Sequence, residues 1–69
     1  MRSAFQVRLR ELRNRAGISQ QTLSDRCGIA RHAIARYERG ERCPSVKNME
    51  ILADFFGVTL DYLWGRREK

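Results

Sequence analysis

The chain has one histidine, one proline and two cysteines in 69 residues, and this scarcity excludes several kinds of chemistry. His32, Cys27 and Cys43 offer at most three metal ligands, and their spacing matches no common zinc pattern. Two cysteines are too few for a disulfide framework, so both are expected as reduced thiols, with Cys27 where a small core residue fits. No apolar run approaches the ~20 residues of a membrane span, and the opening "MRSAFQVRLRELRNR" lacks the apolar stretch of a signal peptide. A cytoplasmic setting with no membrane partner is therefore expected. Period-two runs bounded by turn residues are missing, which argues against strands. So are a Gly-rich phosphate loop, a hydroxyl or thiol with a histidine base and an orienting acid, and a carboxylate pair placed for acid–base work. Neither an enzymatic activity nor a cofactor or small-molecule ligand is expected.

Positive charge is abundant and unevenly placed. The formal net charge is +6, yet residues 1–47 carry eleven Lys and Arg against four Asp and Glu, while residues 48–69 carry three against four. A segregated positive field attracts polyanions, either nucleic acid or an anionic surface. A chain of this length forms one domain over 1–69 with a marginal core, so its periodic apolar positions are all needed for folding.

Glycines and hydroxyl residues divide the chain into helices. Phe5, Leu9, Leu12 and Ala16 share one helical face and predict a helix over 4–16, with Ser3 as cap and Gly17 as stop. Ser19 caps a short helix carrying Leu23 and Cys27 and ended by Gly28, and Ile29 follows as an apolar plug. Ile34 and Tyr37 predict a third helix over 31–39, closed by Gly40 and the loop "GERCP". Ser45 caps a fourth through Val46, Met49, Leu52, Ala53 and Phe56, and Thr59 caps a last short one with Leu60 and Leu63. The predicted class is all-α with five helices.

Two short helices joined by a few residues around a glycine make a helix-turn-helix signal, and "QQTLSDRCGIARHAIARYER" at 20–39 carries it. Together with "LRELRNRAGISQQTLS", "GIARHAIARYERGERCPS" and "ILADFFGVTLDYLWG", this stretch resembles the phage repressor and Cro family of helix-turn-helix DNA-binding proteins over nearly the whole chain. The resemblance implies a compact lambda-repressor-like domain that binds operator DNA, usually as a dimer. Two residues depart from the family pattern. Ala30 stands where a Ser or Thr cap is common, and Ser24 where alanine is usual.

In such a domain the second helix of the motif enters the major groove. With Ile34 and Tyr37 turned inward, the opposite face presents Arg31, His32, Ala35 and Arg36. Arg31 and Arg36 suit guanine, because the guanidinium fork matches O6 and N7 together; His32 is a further candidate for base contact. The less specific alternative for Arg36 is an exposed arginine pairing with a glutamate or a phosphate. Gln20 opens its helix where unpaired N–H groups favour a phosphate, and the resemblance gives it that role or bracing of the first residue of the third helix. Arg39, Arg42 and Lys47 are expected to contact the DNA backbone. The family often pairs an arginine and a glutamate at the positions of Arg13 and Glu38, which implies a structural ion pair.

Leu60, Tyr62, Leu63 and Trp64 crowd a helix too short to point all four inward. Leu63 and one other are expected to finish the core, leaving Leu60, Tyr62 or Trp64 for a homodimer interface, where the corresponding region lies in the family. The expected function is sequence-specific transcriptional regulation, most simply repression of a palindromic operator bound as a dimer. The competing function is a protein-interaction or adaptor module on the same scaffold, against which stand the arginines on the expected groove face.

Overall fold

Among the described residues, hydroxyl side chains open three of the five helices. In the computed structural model, which describes residues 4–65, α1 is Ala4–Ala16, α2 Gln20–Cys27, α3 Arg31–Arg39, α4 Val46–Phe56 and α5 Leu60–Trp64. These are the predicted spans, and no strand occurs among the described residues. Ser19, Ser45 and Thr59 accept from the N–H groups of Thr22, Asn48 and Tyr62 at 3.0–3.1 Å, caps worth about 1 kcal/mol each. The expected cap at Ser3 lies outside the described residues. α3 is the exception. Ala30 gives it no side-chain cap, and its first turn has no acidic residue.

The core draws on every helix. Leu9 from α1, Leu23 from α2, Ile34 from α3, Leu52 from α4 and Leu63 from α5 are all fully buried, and Ile29 plugs the turn between α2 and α3. Burying each large aliphatic side chain stabilises by about 1.5–3 kcal/mol. Tyr37 packs edge-on to Phe5 at 5.8 Å between ring centres, and its hydroxyl accepts from Asn48 Nδ2 at 3.1 Å, joining α1, α3 and α4.

Three positions differ from the expected apolar faces. Ala16 is exposed because the last turn of α1 runs past the core. Val46 is 73% exposed, since it is the first residue of α4 and overhangs the layer that Met49 and Leu52 fill. Gln6 is buried instead, against the end of α3 at Gly40.

Two glycines set how α3 is entered and left. Gly28 takes φ +69°, which lets the chain reverse between α2 and α3. The Ser24 hydroxyl donates to the Ile29 carbonyl and fastens that turn, a bond that the usual alanine cannot make. Gly40, at φ +76°, is doubly constrained, because a Cβ there would meet Gln6 Oε1 at 2.5 Å. Gly57 has a similar φ of +69° with open space around it. Gly57→Ala is therefore expected to destabilise by about 1 kcal/mol for the left-handed backbone alone, and Gly40→Ala by more. Urea unfolding of the two variants checks this, and equal losses would show that Gln6 yields freely.

Candidate nucleic-acid interface

Among the described residues, the most buried charged side chain belongs to α3. Glu38 is 2% exposed, and three residues from two other helices converge on it. Arg13 of α1 donates Nε to Oε2 at 2.6 Å and Nη2 to Oε1 at 2.9 Å, a bidentate pair, while its Nη1 donates to the Ile18 carbonyl at 3.0 Å. Gln20 of α2 donates Nε2 to Oε1 at 3.1 Å. Arg10 of α1 donates Nη2 to the Glu38 backbone carbonyl at 2.7 Å, where α3 runs out of intrahelical donors. Burial pushes the Glu38 carboxyl up, but the hydrogen bonds from Arg13 and Gln20, together with the charges of Arg13 and Arg10, outweigh it and hold the group below the usual carboxylate range.

That cluster fixes one face of α3 inward and turns the other out. Ile34, Tyr37 and Glu38 are buried, Ala35 is half-buried, and Arg31, His32 and Arg36 are exposed. Among the described residues no hydrogen bond or ion pair engages the side chains of Arg31, His32 or Arg36. A nine-residue helix is about 13.5 Å long, and a B-DNA major groove about 12 Å wide admits such a helix. Arg31 and His32 also stand at the uncapped N-terminal turn, where the helix dipole adds positive potential.

The other predicted site residues sort into two groups. Arg42 and Lys47 are exposed beyond α3. Arg39 is exposed as well, but it is engaged with Glu41, its Nε donating to Oε2 at 2.9 Å and Nη2 to Oε1 at 3.2 Å. Gln20 is turned inward, and its brace falls on Glu38 near the end of α3 rather than on the first residue of that helix. Sequence reasoning missed Arg10 as a partner of Glu38. The i, i+3 spacing of Arg10 and Arg13 puts both on one side of α1, which was the available signal.

At the far end, Leu63 is fully buried while Leu60 and Trp64 are 41% and 40% exposed. Tyr62 is half-buried, with the Arg8 guanidinium 4.3 Å from its ring centre and Arg8 Nη1 donating to its carbonyl at 2.7 Å. An open apolar groove of about 320 Å³ runs between Pro44, Val46, Met49, Leu60, Asp61 and Trp64. The described residues hold no cluster of three or more potential metal ligands. No described helix is long and apolar enough to cross a membrane.

Residues 9–63 match the helix-turn-helix family. The chain is 44% identical over 62 residues to the HTH-type transcriptional regulator AnsR of Bacillus subtilis, covering 90% of this chain and 53% of AnsR. It is 37% identical over 59 residues to the SPbeta prophage-derived uncharacterized HTH-type transcriptional regulator YonR of the same organism, covering 86% and 55%. Identity to the HTH-type transcriptional activator BcrR of Enterococcus faecalis is 30% over 64 residues, 93% of this chain and 31% of BcrR. The chain thus spans about half the length of AnsR and YonR and less of BcrR.

The Glu38 cluster predicts both a mutational and a pH response. Arg13→Ala leaves a buried carboxylate without its bidentate partner and is expected to destabilise by about 3 kcal/mol, read by urea unfolding. Because the folded-state pKa of Glu38 is depressed, the stability it contributes is present above its unfolded pKa, about 4.3, and is lost as pH falls through the folded value. Melting temperature should therefore drop on acidification below pH ~4.3 in the wild type, with a shallower drop in Glu38→Gln. Parallel pH profiles would show that this carboxylate is not responsible.

Proposed function

Because the chain belongs to the helix-turn-helix family, we propose that it is a sequence-specific, duplex-DNA-binding transcriptional regulator that inserts α3 into the major groove. The observation that carries this reading is the exposed face of α3, where Arg31, His32 and Arg36 stand opposite the buried Ile34, Tyr37 and Glu38. Arg31 and Arg36 read guanine through paired N–H donors, each worth about 1–3 kcal/mol of discrimination, and His32 adds a contact to a base edge. Arg39, Arg42 and Lys47 hold the phosphate backbone and set register without reading sequence. With the Gln20 side chain on Glu38, its phosphate contact falls to the unpaired N–H groups of the first turn of α2. Regulation then follows from occupancy: a promoter covered by the domain is closed to polymerase, which makes repression the simplest outcome.

A single α3 covers a few base pairs, and tight binding calls for two copies related by a two-fold axis, with half-sites about 10–10.5 bp apart. Leu60 and Trp64, with Val46 across the groove, supply the apolar patch for that contact. Tyr62 stands behind it, its ring covered by Arg8. Val46, rather than Tyr62, thus completes the interface with Leu60 and Trp64.

Binding to the selected operator is expected at about 10 nM or tighter. With three cationic phosphate contacts per half-site, log K should fall with log salt at a slope of about −5 for the dimer. Affinity that ignores salt would exclude duplex DNA as the ligand. Arg36→Ala is expected to relax base preference at one position of each half-site, whereas Arg42→Ala should weaken all sequences alike. Equal losses on operator and random duplex from both variants would mean that Arg36 does not read a base. In sedimentation, Leu60→Asp should give a folded monomer; a folded dimer would place the interface elsewhere.

A further inference from the structure

An acidic side chain just beyond α3 lies against one of the cations assigned to phosphate. Glu41 presents both carboxylate oxygens to two N–H groups of Arg39, at 2.9 and 3.2 Å. This two-point arrangement is the one in which a guanidinium takes two phosphate oxygens. The carboxylate is also held in place by its backbone. The Glu41 N–H donates to the Arg36 carbonyl at 2.9 Å, and Gly40 before it is pinned at φ +76° against Gln6.

Glu41 does little for folding. Its side chain is 53% exposed and that of Arg39 55%, and exposed ion pairs add little to stability. It stands beside the C-terminal end of α3, where the helix dipole disfavours negative charge. Its influence is directed at the cations instead. The hydrogen bonds from Arg39 hold the Glu41 carboxyl below the usual carboxylate range, and the charges of Arg39 and Arg36 add to that effect.

We infer that Glu41 is an intramolecular competitor for DNA phosphate at Arg39, lowering the chain's affinity for duplex DNA of any sequence. The inference rests on the duplex-DNA reading above. For Arg39 to clamp a phosphate, the carboxylate must either leave the guanidinium or stay close to a second anion, and each course weakens binding. Because the competition is at the backbone contact, it acts on operator and random duplex by the same factor.

A double-mutant cycle on a random-sequence duplex tests this, with affinity read by fluorescence anisotropy for the wild type, Glu41→Gln, Arg39→Ala and the double variant. Removing a carboxylate raises the net charge in either background, so the Arg39→Ala background measures that general effect. In ~50 mM salt, Glu41→Gln is expected to tighten wild-type binding by a factor of about two to five beyond the gain in the Arg39→Ala background. The surplus should vanish near 1 M salt, where the Debye length is about 3 Å. Equal gains in both backgrounds, with salt-dependent wild-type binding intact, would overturn the competition alone. No salt-dependent duplex binding by the wild type would overturn the DNA reading and the inference with it.

Discussion

One carboxylate organises this fold. Glu38 belongs to α3, yet its partners come from α1 and α2, so the ion pair with Arg13, the amide of Gln20 and the guanidinium of Arg10 fix three helices relative to one another. Burying a charge is costly unless every lone pair is answered, and here the answer is assembled only when the helices are in place. The same cluster aims α3. With Ile34, Tyr37 and Glu38 held inward, Arg31, His32 and Arg36 are left on the exposed face of α3.

The two ends of α3 are built differently. Its C-terminal end is secured by Arg10 on the Glu38 carbonyl, by Asn48 on the Tyr37 hydroxyl, and by Gly40 packed on Gln6. Its N-terminal end has no side-chain cap and begins with Arg31 and His32. A side-chain cap would bring an oxygen to the first N–H groups of α3; Ala30 has none to offer, and the Arg31 and His32 side chains beside them are exposed. The anchoring contacts gather at the C-terminal end, and of the proposed base contacts Arg31 and His32 stand at the other. Arg8, Arg10 and Arg13 of α1 are committed to internal contacts, and Arg39 to Glu41, whereas the side chains of Arg31, Arg36, Arg42 and Lys47 make no ion pair among the described residues.

The helices were legible because their ends are written in local chemistry. Ser19, Ser45 and Thr59 cap through their own side chains, and glycines follow the last residues, so both ends of an element can be read without knowing its neighbours. The apolar spacing was legible for Leu9, Leu23, Ile34, Leu52 and Leu63 for the same reason. Ala16 and Val46 misled because periodicity does not say where the core stops along a helix axis. The remaining differences are tertiary. Whether Gln20 turns toward solvent or toward Glu38, and whether Arg8 covers Tyr62, depends on long side chains reaching between elements. Sequence spacing on one helix does not contain that information.

If α3 reads duplex sequence, selection from a randomised duplex pool will recover one motif with two-fold symmetry, half-sites about 10–10.5 bp apart and guanines at fixed positions within each. Retention of duplex DNA with no sequence enriched over the starting pool would contradict it, leaving a chain that binds the phosphate backbone and reads nothing.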